Sequence, residues 1–490
     1  MMRGRGGRWA TPGVCRREID YMDPDATWAE EEFGAADLGD VRRKARLVQL
    51  ASLLGRQPSA SLPDATDDPA TLKAAYRFFD NDYVRAEAML ASHVQSTTRR
   101  MQAVERVLAV QDTTYLDWTE HPHTSGLGPL AAPSHQGLLA HTTLALTEER
   151  VPLGLMAQQV WARDPQLRHK QDHKQRPIDD KESQKWLTSL EAVIAARAAC
   201  PHTHFVSVGD READVYDLFL LDRPAGVDLL IRAAQDRKAD HPEKYLWAAM
   251  ATARVAASVT VHMGARAGPE AREATLTVRW REVTLRPPNS RDKEKLPSVT
   301  VWAVWAIETT PPAGVAPVEW LLLTSVPITS TAEALERLEW YAARWGIEVW
   351  QNVLKSGCRI EDRQLETAER LKRCLSLYSV IAWRILYATM LARATPNVPC
   401  TVLLDDDEWQ GLYCRIYRVA LPPPKPPTLR QAVRWIAQLG GFQGRKGDGE
   451  PGVTVLWKGF QHLVDVAAMY RIMRPAPTPR SRASQNKDSG

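Results

Sequence analysis

The chain has 490 residues, which is enough for two to four domains with a substantial buried core. A hydrophobic fraction of 44% and 17 tryptophans indicate a folded protein and exclude a wholly disordered one. The net charge is only +4, so any argument for a nucleic-acid partner must rest on local clusters of charge. No stretch of about 18 uncharged apolar residues occurs, so we expect no membrane span.

The six cysteines are scattered along the chain and form no CxxC pair. This distribution predicts neither a zinc site nor a disulfide framework, and it is typical of proteins in a reducing cytoplasm. The N-terminus is basic but has no apolar segment like that of a signal peptide. We expect residues 1–27 to be a disordered extension, and Met22 looks like a more natural start of the protein.

Residues 28–100 have the apolar spacing of helices and contain two basic segments. Arginine and lysine at helical spacing can follow a phosphate backbone, which predicts an N-terminal helical DNA-binding domain. A solvated helix face is the alternative explanation. The basic residues that we expect to contact DNA are Arg42, Arg43, Arg46 and Arg77.

Two predicted buried strands are each followed by an aspartate. Val107–Val110 is the first of these strands, with Asp112 near its end, and Phe205–Val208 is the second, with Asp210 just past it. An acidic residue at the end of a central strand is costly to bury unless it binds a metal or another partner. The charged residues that follow Asp210 are interpreted as structural salt bridges, with support of Asp210 as the alternative.

The pattern changes again in the second half of the chain. Residues 240–326 contain alternating and β-branched segments separated by turn residues, which predicts a β-rich insertion. Residues 395–474 form a smaller helical unit, in which the proline-rich run 422–427 is a stiff connector. We expect residues 475–490 to be a disordered tail.

Between these two regions lies the segment Tyr341–Lys355, which has helical spacing and no proline. One predicted face of this helix carries a carboxylate flanked by aromatic, polar and basic side chains: Tyr341, Trp345, Glu348, Asn352 and Lys355. Arg344 lies beside that face. Such a set suits a site that holds a metal and grips a phosphate, although an amphipathic helix with ordinary ion pairs is the alternative.

Three carboxylates therefore stand out as candidate ligands: Asp112, Asp210 and Glu348. Oxygen ligands of this kind suit Mg²⁺ or Mn²⁺ rather than zinc. Two such ions can support phosphodiester chemistry. The two HxH pairs of the chain lack an evident third and fourth ligand, so we do not expect them to bind zinc.

The motifs around these carboxylates resemble those of the DDE transposases of the bacterial insertion-sequence-four type. The match rests on QDTTYLDW around Asp112, on VGDREADVYDLF around Asp210, and on the Tyr-Arg-Glu-Lys signature of residues 341–355. The segments DLGDVRRKARL, VEWLLLTSVPITSTAEAL and LWKGFQHL are similar to family sequences as well. The resemblance covers roughly residues 28–473.

The resemblance implies an α/β fold. Residues 101–394 would form an RNase H-like catalytic domain, a mixed five-stranded sheet flanked by helices, with the β-rich insertion inside it. Residues 28–100 would be the DNA-binding domain and residues 395–474 the C-terminal helical dimerisation domain.

The resemblance also implies roles for individual residues. Asp112, Asp210 and Glu348 would be the catalytic triad and would bind two Mg²⁺ ions, for which Mn²⁺ could substitute. Trp320 would stack on a base flipped out of the duplex, and Trp345 is expected to act similarly; without the family, a core aromatic in a strand is the preferred reading of Trp320. The other residues expected to contact DNA are Tyr341, Arg344, Lys355 and Arg232.

The activity implied is cut-and-paste transposition of an insertion sequence, by strand nicking, hairpin formation and strand transfer at terminal inverted repeats. The partners would be these repeats, the target DNA and a second copy of the chain, in the bacterial cytoplasm at the nucleoid and with no membrane. Asn352 and Gly346 replace basic residues of close relatives, which weakens the expected grip on DNA. A catalytically impaired copy that only binds DNA, or a plain RNase H-like nuclease, is therefore an alternative.

Overall fold

The computed structural model describes residues 27–473 except 67, 133, 165–181 and 264–271. The predicted tail, and all of the predicted extension except Thr27, lie outside the described residues. The described residues divide into two compact units, one within residues 1–55 and 59–390 and the other within residues 56–58 and 391–490.

The first unit begins with helices, as predicted. Their starts follow from local capping: Thr27 forms a capping box with Glu30, and the Asp68 carboxylate accepts the backbone N–H groups of Ala70 and Thr71, just after Pro69. The helices are α1 (Trp28–Phe33), α2 (Val41–Arg56), α3 (Leu62–Ala65), α4 (Pro69–Phe79) and α5 (Ala86–Met101).

A large mixed sheet forms the centre of this unit, so the predicted α/β class is confirmed. Its strands are β1 (Arg106–Asp117), β2 (Gly128–Pro129), β3 (Gln136–Leu146), β4 (Pro152–Trp161), β5 (His204–Gly209), β6 (Val227–Arg232), β7 (Val255–Met263), β8 (Arg272–Leu285), β9 (Val299–Glu308) and β10 (Glu319–Thr324). Helices α6 (Gln184–Ala199), α7 (Tyr216–Leu220) and α8 (Leu246–Ala251) connect them.

The middle of the sheet has the strand order β4-β3-β1-β5-β6. The strands β4, β3 and β1 pair in antiparallel fashion, whereas β1, β5 and β6 are parallel. The stretches of these strands that pair in parallel, such as Val107–Val110, are mostly buried and apolar, as expected where a sheet is covered on both faces. This arrangement brings the carboxyl ends of β1, β5 and β6 to one edge of the sheet.

The β-rich insertion does not form a separate sheet. Strand β10 pairs with β6 in antiparallel fashion, and β9, β8 and β7 follow in order, so the insertion extends the central sheet. Pairing with β6 removes an exposed sheet edge that would otherwise be open to other chains. The sequence pattern predicted the strands but could not show which edge they join.

Strand β1 is longer than the predicted strand. It continues to Asp117, so Asp112 lies inside the strand rather than near its end. Beyond Val110 the strand has lost its parallel partner, because β5 ends at Gly209, and it continues paired with β3. Asp112 is therefore at the end of the doubly flanked part of β1.

The segment predicted as one helix is interrupted. Helix α9 (Thr331–Ala343) ends before Arg344, α10 (Trp345–Asn352) follows, and residues Val353–Gly357 form a π-helical turn. A π-helical turn has more residues per turn than an α-helix, so Lys355 does not continue the predicted face. Trp350 anchors α10 by donating a hydrogen bond from Nε1 to the carbonyl of Ser379, at 3.1 Å.

Ser379 belongs to the long helix α11 (Ala368–Ala394). By length and composition α11 is the one described helix that could cross a membrane, but 83% of its most apolar window is buried within the protein. This is the behaviour of a core helix, which needs apolar residues all round.

The second unit is helical, with α12 (Asp406–Tyr417), α13 (Leu429–Leu439) and α14 (Val453–Met473). Helices α13 and α14 approach each other closely at two glycines. A Cβ atom at Gly440 would lie 1.9 Å from the carbonyl oxygen of Val455, and one at Gly459 would lie 1.9 Å from that of Ile436. Only glycine fits at these two crossing points.

A buried charged network ties the N-terminal helices of the first unit to the sheet. The Glu32 carboxylate on α1 contacts Nδ1 of His93 at 2.5 Å and Nη1 of Arg100 at 2.7 Å, both on α5. Nε2 of His93 accepts the backbone N–H of Leu155 on β4 at 3.0 Å, so the ring is neutral, with its proton on Nδ1. Burial opposes ionisation of Glu32, but Arg100 and His93 lower the pKa of Glu32 to about 2.

Replacing Glu32 by alanine should lower the free energy of unfolding by about 3 kcal/mol, because it leaves Arg100 charged and poorly solvated. The pKa of Glu32 is depressed from 4.5 to about 2, so its contribution is present above pH 4.5 and is lost as the pH falls toward 2. Urea denaturation at pH 7 and pH 3.5 would measure this. Glu87→Ala on the exposed side of α5 should change stability by less than about 0.5 kcal/mol, and an equal loss in both variants would contradict the prediction.

Candidate active site

Asp112 and Asp210 lie next to each other at the carboxyl edge of the parallel strands. Val110 on β1 is paired with Val208 on the adjacent strand β5. Asp112 and Asp210 each come two residues after the paired valine. The Asp210 carboxylate accepts the backbone N–H of Glu212 at 2.9 Å and so caps the short 3-10 turn Arg211–Ala213. The structure thus brings together the two predicted strand aspartates.

Arg344 lies between the strand carboxylates and Glu348. Its Nη2 atom is 2.7 Å from Oε1 of Glu348, and its Nη1 atom is 3.8 Å from Oδ1 of Asp112. The two carboxylates are therefore within reach of one guanidinium group. The second oxygen of Asp112 accepts a hydrogen bond of 3.1 Å from the side-chain amide of Gln351 on α10.

The charge distribution of this cluster is unusual for a buried site. Burial raises the pKa of Asp112 to about 6, Arg344 opposes this rise, and the negative charge of Asp210 adds to it. The Nε and Nη1 atoms of Arg344 are buried without a hydrogen-bond partner among the described residues. A partly buried carboxyl with a raised pKa next to unused donors is a frequent property of functional sites.

The fit to a divalent cation can be judged from these contacts. Asp112 and Asp210 offer carboxylate oxygens, which are the ligands that Mg²⁺ and Mn²⁺ prefer. The negative charge of Asp210 raises the pKa of Asp112, and a cation between the two would remove this repulsion. Glu348 is turned toward Arg344. In the described part of the chain, no three His, Cys, Asp or Glu side chains are grouped closely enough to hold a metal ion.

Two aromatic side chains, Trp320 and Tyr341, pack next to each other near Arg344. The ring of Trp320 on β10 contacts the ring of Tyr341 on α9 edge-on, with 5.6 Å between centroids, and the Arg344 guanidinium lies 5.9 Å from the Tyr341 centroid. Tyr341 is buried and Trp320 is half-buried. Trp345, at the start of α10, is 57% exposed, so its indole is open to a ligand.

Lys355 reaches the far part of β1. Its ammonium group donates to the carbonyl oxygen of Tyr115 and lies 3.4 Å from Oε1 of Glu361. Lys355 is therefore held at Tyr115, three residues further along β1 than Asp112, and the described contacts do not join it to Asp112 or Glu348.

The strand that carries Trp320 is fixed by its neighbour Glu319. The Glu319 carboxylate accepts the indole N–H groups of Trp247 at 3.0 Å and Trp305 at 2.8 Å. Arg232 donates to the Glu319 carbonyl at 2.8 Å. Arg232 was predicted to contact DNA; in the structure it is half-buried and engaged with β10.

Gly346 was interpreted as the loss of a basic residue. A Cβ atom there would lie 3.0 Å from Cδ1 of Leu146 on β3, so glycine allows α10 to approach the sheet closely. Asn352 accepts a hydrogen bond of 3.2 Å from the hydroxyl of Ser356, inside the π-helical turn.

Among the charged residues that follow Asp210, Asp214 is buried and pairs with Arg237 at 2.5 Å. The predicted salt-bridge role fits this placement.

Comparison with known protein families identifies both ends of the chain. A family of transposase DNA-binding domains matches residues 25–84, and the Tn5 transposase dimerisation domain matches residues 380–476. Both ends of the chain thus resemble the terminal domains of a Tn5-like transposase. The resemblance predicted from the motifs is thereby confirmed.

A solved structure of a more distant transposase is also similar to this chain. It is a cryo-EM structure of the piggyBac transposase synaptic complex with hairpin DNA, at 10% sequence identity and a TM-score of 0.33. The match covers 72% of this chain and 66% of that chain, just under two thirds. A likeness this low supports no conclusion about fold or function.

The DNA-binding segment of this chain contains a basic hollow between α2 and α4. The hollow has a volume of about 550 Å³. Its charged lining consists of Asp40, Arg42, Arg43, Arg46, Lys73 and Arg77. The four arginines of residues 28–100 that were predicted to contact DNA thus share one concave surface. Arg42 pairs with Asp40 at 2.9 Å, and Arg43 stacks on the ring of Tyr83 at 4.6 Å.

Sequence reasoning missed Gln351 and Glu361, which contact the predicted site residues. Gln351 had a detectable signal, because Arg344, Glu348 and Gln351 are spaced by four and three residues and share a helical face. Glu361 had none, since it lies past the π-helical turn and meets β1 only through the tertiary fold.

Asp112→Asn should stabilise the protein at pH 7.5 by about 2 kcal/mol, because a pKa raised from 3.8 to about 6 means that the charged form is disfavoured in the folded state. The gain should disappear near pH 4, where Asp112 is protonated. Chemical denaturation at both pH values would test this.

Asp117→Asn, on the same strand, is the matched control. Burial opposes ionisation there, but hydrogen bonds from Thr119 and the contact with His135 lower the pKa of Asp117. That variant should therefore be destabilised at pH 7.5. A loss of stability in Asp112→Asn at pH 7.5 would contradict the conclusion that the charged form of Asp112 is unfavourable in the folded protein.

Proposed function

We propose that this protein cleaves and joins DNA strands at the ends of its own element, with Asp112, Asp210 and Glu348 as the catalytic carboxylates. The observation that carries the proposal is the convergence of Asp112 and Glu348 on the guanidinium of Arg344, with Asp210 close enough to raise the pKa of Asp112. Gathering carboxylates from three distant segments in a partly buried place is costly, and such clusters are found mostly at functional sites.

The catalytic unit is proposed to be RNase H-like. This is supported by the mixed five-stranded core β4-β3-β1-β5-β6, whose adjacent parallel strands carry or precede the two aspartates. The carboxyl edge of parallel strands is a common location of active sites in open α/β sheets.

The carboxylates would hold two Mg²⁺ ions, or Mn²⁺ in their place, and such ions lower the barrier to in-line displacement at a phosphodiester. The side chains around them would bind and orient the DNA. Arg344 has buried donors to offer a phosphate oxygen, and Lys355 would add a second positive charge further along β1, beside Tyr115. Tyr341 would support Arg344 rather than meet solvent, because its ring is buried.

We further propose that the reaction follows the cut-and-paste order. A water oxygen would attack phosphorus at the element end and release a 3′-hydroxyl. The oxygen of that hydroxyl would attack a phosphorus of the opposite strand and displace the 3′-oxygen of the flanking DNA, which gives a hairpin, and water would hydrolyse the hairpin phosphodiester to reopen it. The 3′-end would then join the target DNA. Trp320 or the exposed Trp345 would stack on an unpaired base, which offsets the cost of unstacking it.

DNA and a second copy of the chain are the proposed partners. The basic hollow of the N-terminal helices would grip phosphates of the terminal inverted repeats, and the unit that ends in α14 would contact its copy. Exposed apolar side chains on the second unit, including Tyr417, Leu421 and Ile472, support such a contact.

A second candidate is a DNA-binding protein that no longer cuts. It is favoured by the pairing of Glu348 with Arg344 and by the absence of a three-ligand cation group in the described residues. Cleavage of end-containing DNA in Mg²⁺ or Mn²⁺ separates the two candidates.

Alanine substitution of Asp112, Asp210 or Glu348 should each reduce strand cleavage by about a thousandfold or more, because each removes part of the charge that holds the cations. Binding to the same DNA should remain within about threefold of wild type, as the basic hollow is unchanged. A gel assay of nicking and hairpin products would measure cleavage.

Glu339→Ala is the control for these variants, since Glu339 lies on α9 and pairs only at the surface with Arg150. It should cleave like wild type. Normal cleavage by any of the three catalytic variants would remove that residue from the proposed triad.

Arg46→Ala or Arg77→Ala should weaken DNA binding and reduce the slope of log affinity against log salt by about one, as expected for one lost phosphate contact. Lys44→Ala is the matched control, because Lys44 is on the same helix as Arg46 but outside the lining of the hollow. Fluorescence anisotropy at several salt concentrations would measure the slopes. Equal slopes for Arg46→Ala and Lys44→Ala would exclude the hollow as the phosphate site.

A further inference from the structure

The chain folds back on itself directly after Lys355. The π-helical turn closes with a hydrogen bond of 2.7 Å from the N–H of Cys358 to the carbonyl of Val353. Arg359 then adopts a left-handed conformation with φ of 50°, and Ile360–Asp362 form a 3-10 turn. A non-glycine residue at positive φ is uncommon and is held by its surroundings. The result is that Glu361 reaches the far part of β1.

One oxygen of Glu361 serves both β1 and Lys355. Oε1 accepts the backbone N–H of Asp117 at 2.8 Å and lies 3.4 Å from Nζ of Lys355. The lysine also donates to the carbonyl of Tyr115, on the same strand. The ammonium group is thus fixed from two sides, while the Lys355 side chain remains 31% exposed.

We propose that Glu361 is a positioning residue that holds Lys355 for contact with a phosphate of the DNA strand being cut. The inference rests on the proposed function, in which Lys355 is a phosphate contact. A lysine ammonium has three donors; one is donated to Tyr115 and the charge is paired with Glu361 at 3.4 Å, which leaves donor capacity for a phosphate oxygen.

The physical reason is entropy. A free lysine side chain samples many rotamers on its four-carbon stem, and each must be given up when a phosphate binds. Tyr115 and Glu361 impose that order before DNA arrives, and preorganisation of this kind raises the rate of a reaction that depends on orientation. Because Glu361 is also anchored to the backbone of β1, the lysine has a fixed position relative to the strand of Asp112.

A purely structural role for Glu361 is the competing explanation, since its bond to Asp117 also closes the loop. The two explanations differ in whether the effect of Glu361 depends on Lys355. Glu361→Ala and Glu361→Gln both remove the negative charge, but the glutamine keeps an oxygen that can accept from Asp117 and Lys355. Comparing these two variants therefore isolates positioning from charge.

The experiment measures cleavage rate and affinity for end-containing duplex, for Glu361→Ala and Glu361→Gln, each with Lys355 intact and with Lys355→Ala. With Lys355 intact, the alanine variant should cleave about tenfold more slowly than the glutamine variant and bind more weakly. With Lys355→Ala, the two should be equal within about twofold. Thermal unfolding of all the proteins checks that each is folded.

A difference between the two Glu361 variants that is the same with and without Lys355 would overturn the inference, as would their equality when Lys355 is intact. Absence of cleavage by the wild-type protein would overturn the proposed function. The affinity comparison would then still decide between positioning and a structural role, because it needs no strand cleavage.

Discussion

The parallel pairing of β1 with β5 is the constraint on which the candidate site depends. It sets Val110 opposite Val208, and the alternation of side chains along a strand then gives Asp112 and Asp210 the same neighbourhood. A shift of one residue would turn Asp112 to the other face of the sheet and away from α10. The stretch Val107–Val110 is apolar and fully buried and is paired with β5 along its length.

Glu32 and Asp112 differ in how far neighbouring side chains balance the negative charge of their carboxylates. Glu32 is fully matched by Arg100 and His93, so its pKa falls and the network ties helices to the sheet. Asp112 is only partly matched by Arg344 at 3.8 Å, so its pKa rises. A site that keeps part of its charge unbalanced lowers the stability of the fold, and under the proposed function that charge is what a bound cation would balance.

The breaks in the helical segment Tyr341–Lys355 set which parts of the sheet its side chains reach. The break at Arg344 lets its guanidinium reach both Glu348 and Asp112, and Gly346 lets α10 approach Leu146 on β3. The π-helical turn then carries Lys355 off the face of Glu348 and toward the far part of β1. A continuous helix would have kept Lys355 in line with Glu348, which would leave the outer half of β1 without its positive charge.

Much of the site could be read from the sequence, since motifs such as those around Asp112 and Asp210 are short and local. Apolar periodicity predicted helical regions at both ends of the chain. The family motifs provided the resemblance, which implied the α/β class and which the comparisons confirm. The tertiary structure alone decided that the insertion continues the central sheet, that Arg344 lies between the carboxylates, and that Glu361 meets Lys355. The physical reason is range: turns, caps and periodicity act between residues a few positions apart, whereas strand partners and ion pairs between distant segments depend on how the whole chain packs.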